Sequence, residues 1–274
     1  MNVAMTPAAR KAYPGPEVHY ARPVLLEIAS RRTACSTCGL RDLCLSEGLD
    51  AEALTQIDEL VASRTRLRKG DTLFRAGDKF ASLYAIRSGS CKTISLTVDG
   101  HSQVAGYHMS GEIIGTDGIG SDHYGCQAIA LEDTEVCVMP FDRLEAFGRK
   151  HLRFQHNVHR LLSREIARQS RVMVLLGTML AERRLAVFLV DLAERYRERG
   201  YSSCEFVLRM TREEIGSFLG LKLETVSRLF SSLQEAGLLQ VQGRAVKLLD
   251  LSALKRLVGM QAESVRMTIP VAAI

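Results

Sequence analysis

Thr211-Arg212-Glu213-Glu214-Ile215-Gly216-Ser217-Phe218-Leu219-Gly220-Leu221-Lys222-Leu223-Glu224-Thr225-Val226-Ser227-Arg228 reads as two short helices joined by a tight turn. Thr211 with Glu214 three residues on fits a capping box that opens the first helix. Ile215, Phe218 and Leu219 form its apolar stripe, and Gly220 is suited to a left-handed turn because it carries no Cβ. The second helix repeats the stripe with Val226, Leu229, Phe230 and Leu233. Its other face presents Glu224, Ser227, Arg228 and Ser231, at i, i+3, i+4 and i+7.

That face has the chemistry of a major-groove reader. Arg228 offers two hydrogen bonds to guanine, Glu224 accepts from the cytosine amino group, and Ser227 suits a base edge or a phosphate. The blander alternative is that Glu224 and Arg228, four apart, are only a surface ion pair. Lys222 stands where Asn, Ser or Thr would cap better, and its charge suits a phosphate. Downstream, Leu239 to Leu248 reads as two short strands around Gln242-Gly243-Arg244, a wing whose Arg244 and Lys247 face a phosphate backbone.

Upstream the pattern changes. From Leu67 to Pro140, short apolar runs are broken by Gly70-Asp71, Gly77-Asp78, Ser88-Gly89, Asp99-Gly100 and Gly111-Glu112. Lys92, Ile94, Leu96 and Val98 alternate with Cys91, Thr93, Ser95 and Thr97 in a strand pattern. Many short strands at even spacing predict an antiparallel jelly roll. From about Phe154 to Leu180, Val158, Leu162, Ile166, Val172, Met173, Leu176 and Leu180 recur near helical spacing. Arg160, Arg164, Arg168 and Arg171 are expected on the opposite face. A helix this long suggests a seam shared between two chains, formed by Val158, Leu162, Ile166, Gln169, Met173 and Leu176; the alternative is packing on its own sheet alone. Ala181 to Gly200 predicts a second amphipathic helix.

Charge follows the same division. The net charge is +5. Residues 1–159 carry 18 Lys/Arg and 19 Asp/Glu, or −1, and residues 160–274 carry 18 and 12, or +6. A basic C-terminal half suits phosphate contact. No stretch approaches the roughly 18–20 consecutive apolar residues of a membrane helix, and Met1 to Gly15 lacks a signal-peptide core. These features predict a cytoplasmic protein with a disordered N-terminal tail. No phosphate loop, nucleophile elbow or paired-carboxylate site argues for an enzyme.

Seven cysteines, an odd number, argue against a disulfide framework. Three fall in Cys35-Ser-Thr-Cys38-Gly-Leu-Arg-Asp-Leu-Cys44, whose clustering points to metal or redox use. Cys91, Cys126 and Cys204 read as structural. His156 and His159 read as surface residues.

The stretch from Thr211 to Arg228, together with Gly70-Asp-Thr-Leu-Phe-Arg-Ala-Gly-Asp78, Leu83-Tyr-Ala-Ile-Arg-Ser-Gly89 and Ala181-Glu-Arg-Arg-Leu-Ala186, closely resembles the CRP/FNR superfamily. The likeness runs from about Arg32 to Leu257. Within it, Glu224, Ser227 and Arg228 resemble the FNR branch, the oxygen-responsive fumarate and nitrate reduction regulators. The resemblance implies an α+β fold: an N-terminal antiparallel β-roll sensory domain, a long dimerisation helix and a C-terminal winged helix-turn-helix. The expected boundaries are a tail over 1–31, a cysteine loop over 32–47, a β-roll over 48–152, the dimerisation helix over 153–182, the DNA-binding domain over 183–257 and a tail over 258–274.

It further implies an oxygen-labile [4Fe-4S] cluster on Cys35, Cys38, Cys44 and a fourth cysteine in a strand ending Val-Cys-x-x-Pro-Phe. Val136-Cys137-Val-Met-Pro-Phe141 matches that motif, whereas the flanks of Cys126 do not. Such regulators dimerise when oxygen is low, bind palindromes with TTGAT-like half-sites, and activate or repress anaerobic genes together with RNA polymerase. By resemblance Arg228 reads the guanine, Glu224 its cytosine and Ser227 a thymine, with Thr211, Lys222, Ser231 and Arg244 completing the DNA surface. Gln169 is neutral where the family can carry an acidic residue that opposes dimerisation, which implies a softer switch; Thr37 and Gly39 lie between ligands and are expected to tune oxygen sensitivity.

Two other ligand chemistries bear on these residues. Four thiolates can also hold zinc, although the five-residue gap is long for it, and simple thiol oxidation is the other alternative. A cyclic nucleotide is not expected, because the stretch from Gly111 to Ala128 contains no Arg or Lys for its phosphate.

Overall fold

The computed structural model describes residues 35–61, 63–96 and 100–259. The expected tail over 1–31, residues 32–34 of the expected cysteine loop, Thr97, Val98 and Asp99 of the strand and turn pattern, and residues 260–274 of the expected tail over 258–274 lie outside them.

The cysteine segment forms two short 3-10 turns, Cys35–Thr37 and Arg41–Leu43. Helix α1 (Ala51–Leu60) follows, capped by Asp50, whose carboxylate accepts from Ala53 N at 2.8 Å. Eight strands then build the roll: β1 (Ser63–Leu67), β2 (Thr72–Phe74), β3 (Ser82–Ser88), β4 (Ser90–Leu96), β5 (Ser102–Met109), β6 (Ile113–Ile114), β7 (Gln127–Ala130) and β8 (Thr134–Pro140). They pair antiparallel into two four-stranded sheets, ordered β1-β8-β3-β6 and β2-β7-β4-β5. Turn chemistry sets the path: Gly89 has φ +84°, and a Cβ there would meet the Asp133 carbonyl oxygen at 2.7 Å. Phe74, Ile86, Cys91 and Val136 fill the space between the sheets. In β4 the buried positions are Ser90, Cys91 and Thr93, while Leu96 is exposed, with a register shift between Thr93 and Ile94.

Three consecutive helices leave the roll: α2 (Phe141–Lys150), α3 (Leu152–Thr178) and α4 (Ala181–Glu198). The 27 residues of α3 span about 40 Å at 1.5 Å per residue. Only Phe154, Asn157 and Leu175 of it are buried, so one chain leaves much of its surface uncovered. The two ends of α3 belong to different packing regions. Phe154 joins α1, α2 and the cysteine segment in one core; Leu175 joins α4 and the C-terminal elements in another.

The C-terminal unit comprises β9 (Glu205–Val207), α5 (Arg212–Leu219), α6 (Leu223–Glu235), β10 (Leu239–Gln242), β11 (Ala245–Leu248) and α7 (Leu251–Val258). The wing is three-stranded, β10-β11-β9. Gly216 sits where the chain folds back: Leu221 N donates to Gly216 O at 2.8 Å, and a Cβ on Gly216 would lie 2.5 Å from the Leu221 carbonyl oxygen. A Gly216→Ala variant is therefore expected to lose about 1–3 kcal/mol, read as a lower urea midpoint with α6 still helical by circular dichroism.

This unit packs on the roll. Tyr107 of β5 places its ring 5.3 Å from Phe218 and 6.0 Å from Phe188. Lys92 Nζ lies 2.6 Å from Glu214 Oε1, and Val104 N donates to Ser217 Oγ at 2.9 Å.

Candidate metal centre and nucleic-acid interface

Cys35, Cys38 and Cys44 come from the N-terminal segment and Cys137 from the middle of β8, yet all four line one cavity. Leu45, Ile57, Val61, Ala85 and Met139 supply its apolar wall. Asn157 of α3 anchors the segment from behind, donating from its side-chain amide to Leu45 O at 2.9 Å and Glu47 O at 2.8 Å. Cys126 is elsewhere, packed against the core between the sheets, with its backbone N–H donating to Asp117 Oδ2 at 3.0 Å. Of the remaining cysteines, Cys91 is fully buried, and Cys204 is exposed rather than packed.

The donors are thiols in a poorly solvated place. Burial pushes the Cys44 thiol up to about 11, partly opposed by the Leu45 backbone N–H. Cys35 is raised by burial and by its hydrogen bond to Asp58. Cys137 is raised by burial and drawn back by Arg64, which hydrogen-bonds its sulfur. Metal loading of such a site must release protons. Among the described residues no three His, Cys, Asp or Glu side chains converge to hold a single ion. Thiolates are the ligands an iron–sulfur cluster takes, and they are also ligands for zinc. The donor set of four thiols fits the cluster. On the same loop, Arg41 Nε is buried with no hydrogen-bond partner.

The cysteine loop also touches the rest of the molecule. Gly111, in the turn after β5, is so close to Leu43 that a Cβ there would lie 2.9 Å from the Leu43 Cβ. The next residue, Glu112, receives three guanidinium groups: Arg195 at 2.8 Å, Arg199 at 2.6 Å and Arg168 at 3.6 Å. Burial alone would raise its carboxyl, but Arg195, Arg168 and Arg199 hold it down to about 2. His108, 3.9 Å away, is kept neutral by burial and by Arg168, with its pKa lowered to about 3.

This arrangement corrects the expected face of α3. Arg168 turns inward to Glu112 and the Tyr107 carbonyl, and Arg160 pairs with Glu47 at 2.9 Å. Arg164 and Arg171 do face outward. Of the six expected seam residues, Ile166 (68 % exposed), Met173 (74 %) and Gln169 stand open. Val158, Leu162 and Leu176 are half-buried, Val158 and Leu176 against their own chain. Gln169 donates to Glu165 Oε1 at 2.8 Å. Val174 and Leu180 extend the open apolar surface. His156 and His159 are exposed, as expected.

The reading helix is formed as the sequence predicts. Both halves of the capping box are present: Thr211 Oγ1 accepts from Glu214 N at 3.1 Å, and Glu214 Oε2 accepts from Thr211 N at 2.6 Å. Gly220 adopts φ +64°. Lys222 occupies the N-cap of α6 and makes no capping bond with its side chain. Val226, Phe230 and Leu233 are buried, while Glu224, Ser227, Arg228 and Ser231 are exposed on one face. Glu224 and Arg228 form no ion pair among the described residues, so both are open to a ligand. The Ser227 hydroxyl donates to Leu223 O at 3.0 Å and must rotate to reach a base. Arg244 is exposed at the wing tip, its Nη1 3.5 Å from Arg209 O. Arg212 stacks on Phe230 at 3.3 Å from the ring centroid and fixes α5 against α6. No helix among the described residues is long and apolar enough to cross a membrane.

Comparison with known proteins agrees with this architecture. Residues 183–257 match the Crp-like helix-turn-helix domain, and residues 64–151 match the cyclic nucleotide-binding domain family. The transcriptional regulatory protein btr of Bordetella pertussis is 43% identical over 228 residues, 83% of this chain and 94% of that protein. The fumarate and nitrate reduction regulatory protein of Escherichia coli K12 is 40% identical over 225 residues, 82% of this chain and 90% of that protein. Among solved structures, FixK2 from Bradyrhizobium japonicum aligns with a TM-score of 0.66 and 26% identity, over 74% of this chain and 98% of its own.

Proposed function

Because the chain belongs to the CRP/FNR family of helix-turn-helix transcription regulators, we propose that it is an oxygen-responsive member carrying a [4Fe-4S] cluster on Cys35, Cys38, Cys44 and Cys137. The observation that carries this reading is the meeting of those four thiols at one cavity, across about ninety residues of sequence, with Cys126 left out. When bound, the cluster supplies a link between the N-terminal loop and β8 that an oxidant can cut. The chain's own residues turn that link into a signal. Leu43 abuts Gly111, and Glu112 gathers arginines from α3 and α4. The order of the cysteine loop is thereby coupled to the helix that bears the seam and to the helix that leads into the DNA-binding unit.

The open stripe at Ile166, Gln169 and Met173 is the seam of a homodimer. Two reading helices then meet the half-sites of a palindrome, where Arg228 addresses guanine, Glu224 cytosine and Ser227 thymine. Thr211, Lys222, Ser231 and Arg244 line the phosphate side. RNA polymerase is the protein partner. The neutral Gln169 adds no charge repulsion to the seam, so the apo protein retains some dimer; sizing by ultracentrifugation checks this, and a clean monomer would overturn it. No cyclic nucleotide is assigned, since residues 111–128 offer no cation for its phosphate. The Glu112 carboxylate is already engaged by three arginines.

Anaerobic purification followed by iron, sulfide and visible-absorption measurements tests the cluster. The expected result is about four irons and four sulfides per chain and a broad band that bleaches in air. Iron-free protein after anaerobic reconstitution would return the four cysteines to zinc or thiol oxidation. Arg228→Ala is expected to cost about 1–3 kcal/mol per half-site and to abolish the preference for guanine there, read by titrating operators substituted at that base.

A further inference from the structure

The sheet face that carries Cys137 is strongly cationic, and its register shows why. Arg64 on β1 and Ala85 on β3 lie directly opposite Cys137 on β8, so the three side chains share a face. One step along, Arg66 lies opposite Glu135, and Arg87 reaches the same carboxylate at 2.5 Å. Leu67, Ile86 and Val136 point the other way, into the core. Arg66 and Arg87 thus neutralise the one acid on this face, Glu135. Arg87 also lines the cavity of the four cysteines. Arg64 hydrogen-bonds the Cys137 sulfur itself. Asp58 meets the ligand set at Cys35, through the Cys35 backbone N–H.

Three guanidinium groups and one carboxylate give this face +2. A cluster core of charge +2 held by four thiolates carries −2, and one-electron reduction takes it to −3. A cation hydrogen-bonded to a ligand sulfur stabilises the more negative state more strongly. We propose that Arg64, supported by Arg87, is a tuning residue that raises the reduction potential of the cluster by donating to the Cys137 sulfur, and so slows its loss to dioxygen. This inference rests on the cluster reading above.

The test uses full-length wild type, Arg64→Gln and Arg64→Lys, reconstituted without oxygen. Iron and sulfide content, the midpoint potential of the one-electron couple, and the lifetime of the visible band in air are measured. Urea melts of the apo proteins verify folding. Arg64→Gln is expected to load fully and to shift the one-electron equilibrium about three- to tenfold toward the oxidised cluster, a tenfold change being about 59 mV. Its visible band is expected to bleach several-fold faster, with Arg64→Lys recovering at least half of both effects. A folded Arg64→Gln that loads poorly while Arg64→Lys loads fully would overturn the proposal, because the charge would then serve assembly and not the potential. Potential and lifetime equal to wild type in a fully loaded Arg64→Gln would overturn it. So would failure of both variants to load, which would make Arg64 an assembly residue. A wild type without iron fails at the first measurement and removes the cluster reading itself.

Discussion

Glu112→Ala is expected to cost about 3–5 kcal/mol of stability, the loss typical when one partner of a buried charge group is removed. Three guanidinium groups converge on this carboxylate from α3 and α4, and the Arg199 side chain is only 3% exposed. Without Glu112 the arginines lose the acid they share and keep the carbonyls of Tyr107 and Ser110, with Asp191 beside Arg195 and Glu165 3.9 Å from Arg168. Chemical denaturation of apo protein measures the cost. Glu112→Gln is expected to fall between the two, since an amide oxygen still accepts but carries no charge.

The same site predicts the acid limb of stability. Glu112 is depressed from 4.5 to about 2, so the folded state resists protonation that the unfolded chain accepts. Its contribution is present above about pH 4.5 and is lost as pH falls toward 2. His108 acts in the same direction: its folded pKa of about 3 lies below 6.5, so below pH 6.5 the unfolded chain binds a proton that the folded one refuses. Unfolding free energy should therefore fall from about pH 6.5 downward, and the Glu112→Gln variant should show a shallower slope between pH 4.5 and 2.

Cys137→Ser is expected to abolish stable cluster loading and, with it, the oxygen-dependent part of palindrome binding. A hydroxyl is a poor iron ligand beside thiolate, and Cys137 is the one thiol of the proposed set that stands on β8, at the cavity it shares with the loop. Burial raises the apo thiols of Cys35 and Cys44, so these two must still lose their protons with one fewer metal–sulfur bond in return. Iron should fall well below four per chain, and anaerobic and aerobic affinities for the operator should converge. Cys126→Ser is the control, because Cys126 lies in the core between the sheets. A Cys126→Ser variant that loses iron while Cys137→Ser keeps it would reverse the ligand assignment.

The reading helix was legible residue by residue. Thr211 and Glu214 announce the cap, Gly220 the turn, and the spacing of Val226, Phe230 and Leu233 the buried side, all within a few residues of chain. The Gly and Asp turn signals likewise marked the strands of the roll, and Gly243 the wing. Helices α1, α2 and α7 and strand β9, each ten residues or shorter, hold too few turns for a periodic signal, whereas α5, equally short, is marked by its capping box and by Gly220. The grouping of the four cysteines follows from a motif alone, since nothing in local spacing ties Cys137 to a loop ninety residues earlier.

Local chemistry thus specified the elements, the reading face and the turns, because capping, glycine geometry and apolar periodicity act between near neighbours in the chain. The orientation of Arg160 and Arg168 toward the roll, the gathering of three arginines on Glu112, and the placing of Arg64 against Cys137 followed different rules. Each joins groups far apart in sequence, and only packing fixes which of them a long flexible cation reaches: water would satisfy it equally well at any exposed site, but inside the fold its partners are the few carboxylates, carbonyls or thiols that packing brings within reach.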